Sequence, residues 1–471
     1  MSQPLVLHPD RLFPADSTTR DVARRLYALV ERLPIVSPHG HTDPRWFAEN
    51  EAFPDPATLL VKPDHYIFRM LYSQGVKLED LGLARRDGGP VETDPRKIWR
   101  RFAEHYHLFA GTPTRLWLDH VLATLFDIDQ RLSGATADRT YDSIAEKLAS
   151  PEFRPRALFE RFNIDVIATT ESPLDALASH AALRTSGWSG RIVTTYRPDP
   201  VVDPDFAGFA DNLRQFGEIT GCDTGTYAGY LEAHRQRRAF FRAHGATATD
   251  HGHPTALTAD LAGMEASALY DKVKHGQASA ADAELFRAQM LTEMAAMSLA
   301  DGMVMQIHAG SMRNHNPLIY NTFGRDMGAD MPTRTDYVHA LKPLLDRFGN
   351  EAALTIILFT LDETVYAREL APLAGHYPAL RLGPPWWFHD SVEGMTRFRQ
   401  QAIETAGFAN TVGFNDDTRA YLSIPARHDV ARRVDCATLA QMVTTHRMEE
   451  DEAARLVVAL AGSMAKTAYR L

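Results

Sequence analysis

Eight short apolar or β-branched runs, each ending in polar residues, recur along the chain with helical spacing between most of them. The first, "PIVSP", follows "DVARRLYALVERL", in which Val22, Leu26, Leu29, Val30 and Leu33 share one helical face after a cap-like "STTR". The other seven are Ile164–Ser172, Arg191–Asp199, Ala246–Gly252, Met303–Gly310, Leu354–Glu363, Leu380–Asp390 and Asn410–Arg419. Ala246–Gly252 has the poorest strand composition, being mostly alanine and threonine. Among the intervening stretches, "ADAELFRAQMLTEMAAMSLADG" keeps helical periodicity until Gly302 stops it. Strands alternating with helices in this way predict an α/β fold, a (β/α)8 TIM-like barrel with a closed parallel sheet.

About 120 residues separate the first two runs, too many for one crossover. Two stretches there, "DHYIFRMLYSQGV" and "GTPTRLWLDHVLATLFDI", have helical spacing. Residues 1–471 are therefore expected to form a single barrel unit, with 46–160 as a large helical insertion packed over it.

Charge and composition narrow the function. The formal net charge is −10 and no lysine/arginine block stands out, which disfavours nucleic acid or an anionic membrane as partner. An acidic small molecule would have to be held by locally placed arginines. No uncharged run approaches the ~18 residues needed to span a bilayer, and the N-terminus lacks a basic start followed by an apolar core. Two cysteines, Cys222 and Cys436, in so long a chain point to a reducing compartment. The expectation is a cytoplasmic protein acting on a small molecule; assembly into a homo-oligomer stays open.

In such barrels the chemistry sits at the C-terminal ends of the strands, so the polar tails matter. In "SPHGHTDP", His39 and His41 are two apart, which turns both the same way on a strand. Neutral imidazoles suit zinc or another borderline divalent metal, and a carboxylate could complete an open site. A lone HxH is more often a pair of hydrogen-bonded histidines. The second such pair, in "TDHGHP", runs into a proline and a helical pattern, so His253 is expected at a helix entry with no site role, while Asp250 and His251 could face the barrel mouth. The last run ends in "NDDTR", and in a closed barrel this end adjoins the first. Taken alone, Asp417 and Arg419 would read as a plain salt bridge.

These stretches together, with "TTYRPD", "MQIHAGSMRNHN" and "PPWWFHD", resemble the uronate isomerases, a divergent branch of the amidohydrolase superfamily, over most of the chain. The resemblance implies metal ligation by His39, His41 and Asp417. It implies that His65 and Tyr66, from the insertion, belong to the substrate site, and that Arg197 is associated with the substrate carboxylate. By the same resemblance His308 and Arg313 line the sugar site, Trp386 and its neighbour form a wall, and Asp417, Arg419 and Tyr66 are catalytic candidates. The family reaction interconverts an aldose uronate and its 2-keto isomer, D-glucuronate with D-fructuronate and often D-galacturonate with D-tagaturonate. An enediol route needs a base and positive charge near the developing enediolate. Asp417 would move hydroxyl protons, Arg419 would face the enediolate, and Tyr66, as a phenolate, or Asp417 would take the C2 proton. A divalent metal, zinc foremost, is expected without being strictly required, because isomerisation needs no activated water.

Two stretches depart from the family pattern: "TLDETVY" after the sixth run and "AGSMAKTAYRL" at the C-terminus, the latter expected to lie far from the chemistry. Two rival readings are a two-metal hydrolase and a catalytically dead uronate sensor. The first is disfavoured because "LFTLDE" brings no histidine, the second because His41, Asp417 and Arg419 are all present.

Overall fold

The computed structural model describes residues 3–471. Seven parallel strands form one curled sheet in chain order: β1 (Ile35–Ser37), β2 (Ile164–Glu171), β3 (Ile192–Tyr196), β4 (Ala248–His251), β5 (Val304–Ala309), β6 (Ile356–Thr360) and β7 (Leu380–Leu382). Each neighbour in sequence is a neighbour in space, as right-handed crossovers through helices require. The eighth run is extended but irregular. Thr411 bridges Leu382 in parallel, and the chain then closes on the first strand's end where His41 N donates to Thr418 O at 3.0 Å. The result is the (β/α)8 barrel. Within the eighth segment, Arg427 Nη1 donates to Asp416 O at 3.3 Å.

Local signals explain the helices. Asp16 caps the helix Ser17–Val30 by accepting from Thr19 N, and Val22, Leu26 and Val30 pack against Cys436, Leu439 and Val457. Leu29, expected on that face, is 48% exposed, because it falls outside the narrow i, i+4, i+8 stripe. Ser279 and Asp282 form a reciprocal capping box for Ala280–Asp301, which Gly302 ends at φ 81°. Between β1 and β2 the chain is helical, including His65–Ser73, capped by Asp64, and Pro113–His120, capped by Thr112 and continued by wide turns over Val121–Leu125. Its apolar faces share one continuous core with Ile35, Ile164 and Ile167 and with the helix Ile424–Thr444.

The barrel interior is filled, not hollow. Val36, Val166, Ala168 and Val193 pack with Ala465. Ala248, Val304, Ile357, Phe359 and Val412 pack around Tyr469, which is fully buried. The short helix Met464–Tyr469 therefore plugs the end of the barrel where the strands begin. Arg470 fixes it there by donating to Gly302 O and, at 2.7 Å, to Ala353 O, both just upstream of strands. The departing C-terminal sequence lies at the end opposite the strand tails. Tyr469→Ala is expected to destabilise the fold by about 3–5 kcal/mol. Tyr469→Phe, which loses only the 3.2 Å hydrogen bond from Asn415 Nδ2, should lose about 1 kcal/mol; thermal or urea midpoints of the two variants check the ranking.

Candidate active site

At the strand C-termini lies a cavity of about 360 Å³. His39, His41, His65, Tyr66, Arg197, His308, Arg313, Trp386, Asp417 and Arg419 all line it. These ten are the residues singled out in the sequence, drawn from five strand ends and the insertion.

The two imidazoles and the acid meet closely. Asp417 Oδ1 is 3.2 Å from His41 Nε2 and 3.6 Å from His39 Nε2. Metal–ligand bonds of about 2.0–2.1 Å in tetrahedral array place donor atoms roughly 3.3 Å apart, so these three atoms fit one zinc-sized ion. A second group shares His39: His39, Asp250 and His308 also bring one donor atom each within 4.8 Å of one another. Burial pulls His39 down to about 4, only partly offset by Asp417 and Asp250, so its imidazole is neutral at pH 7. Burial acts upward on Asp417, but His39 and His41 outweigh it and hold the carboxyl well below the usual range. The neutral imidazole of His39 beside an ionised acid is a ligand ready for a cation. Gln306 Nε2 donates to Thr249 O at 3.3 Å and lies 3.3 Å from His39 Nδ1. Asp417 adopts φ 36°, a strained conformation for a non-glycine residue of the kind that gathers at functional sites.

The arginines expected of an anion site are present. Arg197, Arg313, Arg325, Arg419 and Arg427 face the cavity in a chain of net charge −10. Arg197 is pinned by Asp199 Oδ2 at 2.9 Å through Nε and by Asp250 Oδ2 at 3.0 Å through Nη1, which leaves Nη2 for a ligand. A Cβ on Gly252 would come within 2.3 Å of that Nη2, so only glycine leaves the guanidinium undisturbed. Arg313 pairs with Asp330 at 2.8 Å, and Arg419 with Asp326 at 3.3 Å.

Comparison with known proteins identifies the family. The family model described as glucuronate isomerase matches residues 16–467. The chain belongs to the glucuronate isomerase family. It is 68% identical over 463 residues to a protein of Mesorhizobium japonicum named uronate isomerase, covering 98% of this chain and 99% of that one. The crystal structure of glucuronate isomerase from Caulobacter crescentus superposes with a TM-score of 0.98 at 60% identity, covering 99% and 98% of the two chains. A uronate isomerase structure from Thermotoga maritima gives 0.91 at 27% identity, covering 98% and 99%.

Within this glucuronate isomerase family site the structure corrects two expectations. Tyr66 is not poised as a phenolate. Burial pushes its hydroxyl up, Asp390, Asp417 and Asp64 add to that, and Arg427, 5.6 Å from the ring, does not compensate. Its hydroxyl lies 3.3 Å from Trp387 O, as a donor. The ring stacks on His65 at 4.5 Å, and His65 meets Trp387 edge-on at 5.3 Å, so the insertion supplies one aromatic wall and the Trp386–Trp387 turn the other. His251, expected at the mouth beside Asp250, is on the outer face of β4, bonded to Thr249 Oγ1 at 3.0 Å, because alternate strand residues face opposite ways. His253 stays off the cavity as expected, although the helix after it begins only at Gly263.

Other groups around the cavity lie outside the expected site set, although Asp250 was expected to face the barrel mouth. Asp250 is fully buried, joining His308 Nδ1 at 2.6 Å to Arg197. Arg427 stacks 3.5 Å from the Trp117 ring centroid, pairs with Asp390 at 2.6 Å and reaches the backbone beside Asp417. The polar tail of the fourth run held a signal for Asp250; Arg427, inside a helix, offered none. Glu171 lines the cavity, and burial pushes it up to about 7 against hydrogen bonds from Thr194 and Thr169.

Glu171 thus binds its proton more tightly in the fold than in the unfolded chain, where carboxyls ionise near about 4.3. Between these values the folded state holds the extra proton, so its contribution falls as pH rises from about 4.3 to 7, by roughly 1–3 kcal/mol. Glu171→Gln removes this loss. Its stability relative to the native protein should therefore be greater at pH 8 than at pH 5, as read by urea midpoints.

Proposed function

We propose that this chain is a uronate isomerase that interconverts D-glucuronate and D-fructuronate, and D-galacturonate and D-tagaturonate, through an enediol. The observation that carries the reading is the meeting of Asp417 with His39 and His41, at 3.2 and 3.6 Å, in an arginine-ringed cavity of a glucuronate isomerase family chain. The helical segment 46–160 acts in this reading as an insertion that brings His65 and Tyr66 to the barrel's reacting end.

Arg197 anchors the uronate carboxylate through Nη2, its other nitrogens being committed to Asp199 and Asp250. That fixes which end of the sugar faces Asp417. Asp417, ionised, takes the C2 proton and returns it at C1, and carries the hydroxyl proton from O2 to O1. Arg419 stabilises the negative charge that develops on the enediolate oxygens. Tyr66, kept protonated, donates a hydrogen bond to a substrate oxygen. His308, oriented by Asp250, and Arg313 contact the remaining hydroxyls, with Trp386 as an apolar wall. A divalent ion held by His39, His41 and Asp417, zinc on the chemistry of the donors, would supply further positive charge for the sugar oxygens. No membrane-crossing helix occurs among the described residues, and Cys222 and Cys436 are free thiols, which supports placing the enzyme in the cytoplasm.

Incubation with D-glucuronate or D-galacturonate should yield the keto product; no conversion of either would end the reading. Asp417→Asn is expected to lower kcat/KM by roughly 10²–10⁴-fold. Tyr66→Phe should lose less and keep solvent-deuterium exchange at C2, whereas abolished exchange would restore tyrosine as the base. Exhaustive chelation should weaken activity without abolishing it; complete loss, restored by zinc, would establish the ion as essential.

A further inference from the structure

Between β5 and the helix Lys342–Phe348, the chain makes an excursion whose residues line the cavity. It contains a two-stranded antiparallel ribbon, Ser311–Met312 against Met331–Pro332, and the helix Pro317–Phe323. Two of its carboxylates line the cavity, and they are held very differently. Asp330 is buried, paired with Arg313 at 2.8 Å and accepting from Asn314 N at 2.7 Å. Asp326 has a side chain 48% exposed and a single ion pair, 3.3 Å to Arg419 Nη2, whose own side chain is 38% exposed. Among the arginine–carboxylate pairs around the cavity this is the longest and most hydrated.

The backbone adds to the contrast. Asp326 sits at φ 62°, between Gly324 at 93° and Gly328 at 69°, so the segment that presents it is held in conformations that favour glycine. Its environment is strongly cationic: Arg419, then Arg313, Arg197 and Arg325, outweigh burial and keep the carboxyl ionised. An aspartate on a strained turn thus offers these guanidiniums the same chemical group that a sugar acid would bring.

We infer that Asp326 is a displaceable counter-ion, holding Arg419 while the cavity is empty and yielding it to the substrate's oxygens when the uronate enters. The inference rests on the uronate reading and adds a positioning residue that tempers substrate affinity. A half-hydrated pair contributes little and can be exchanged; breaking the Arg313–Asp330 pair would leave the buried Asp330 carboxylate without its cation, at a larger cost. While it stays in place, Asp326 also repels an incoming anion and prevents Arg419 from binding stray ones.

The test uses D-gluconate, a six-carbon polyhydroxy carboxylate with no carbonyl to isomerise, and titration calorimetry on the intact protein. Asp326→Asn should bind gluconate roughly two- to fivefold more tightly than the native protein at low salt, with the difference shrinking as salt is raised. Asp326→Glu should restore native affinity. Amide exchange over 324–330 should be faster in unliganded Asp326→Asn, a change that altered charge alone would not produce. Unchanged or weaker gluconate binding by Asp326→Asn, or unchanged exchange, overturns the inference. Uronate isomerisation by the native enzyme, run in parallel, separates the two readings. Its absence removes the functional proposal, whereas its presence with unaltered gluconate affinity removes the role of Asp326 alone.

Discussion

A single ionised carboxylate held against two imidazoles at the barrel's closing seam is the constraint on which the site depends. Asp417 approaches His39 and His41 only because the last run of the chain returns to the end of the first strand. The seam is tight: a Cβ on Gly40 would already touch Thr418 O at 3.4 Å. Removing one partner of such a mostly buried cluster leaves the others with uncompensated polarity. Behind the strained turn at Asp417, Arg427, itself paired with Asp390, donates to the carbonyl of the flanking Asp416, and His428 lies 3.0 Å from the Asp416 carboxylate. The left-handed backbone there is the consequence of aiming a side chain inward at the point where regular strand geometry ends.

Charge is organised by the same logic. The protein carries a net negative charge, yet its cavity concentrates guanidiniums, and Arg197, Arg313, Arg419 and Arg427 are each paired with a carboxylate. Arginines fixed in advance by Asp199, Asp250 and Asp330 need not reorganise when an anion arrives, the condition under which dipoles and charges stabilise a transition state most. The partners differ in strength, from the fully buried Asp250 to the half-exposed Asp326. That gradation divides rigid scaffold from exchangeable contact, and it is visible only as distances and burial.

Much of the architecture was legible because two periodicities punctuate the chain. All eight runs lie where strands or their extended equivalent occur, and the helical stretches form helices, although the first is capped by Asp16, just before the cap-like STTR, which lies inside the helix. The site was legible to the extent that its residues sit at strand tails, where sequence position alone specifies the mouth of the barrel. It failed where facing or environment decides. A one-residue alternation separates the inward Asp250 from the outward His251, and a run of alanines and threonines gives no apolar face to fix that phase. Tyr66 was given the wrong ionisation because the sequence shows Arg427 and Arg419 in the chain but not how deeply burial isolates the phenol from them. Arg427 itself was invisible: an arginine inside a helix ordinarily faces water, and only tertiary packing turns it under Trp117 and Tyr66.

The two ends of the barrel divide the work. At the end where the strands begin, Tyr469 and Ala465 fill the interior with apolar volume and Arg470 ties the last helix to the loops entering β5 and β6. That end has no polar task and can be packed as densely as a protein interior allows. At the other end the same strands terminate in imidazoles, carboxylates and guanidiniums, which crowd like charges, bury polar atoms such as His308 Nε2 without a partner and strain the backbone at Asp326, Trp387 and Asp417. Each of these is destabilising in isolation. They coexist because the closed, plugged cylinder beneath them cannot relax one strand end without disturbing its neighbours, so stability built at one end is what holds a reactive, strained constellation in place at the other.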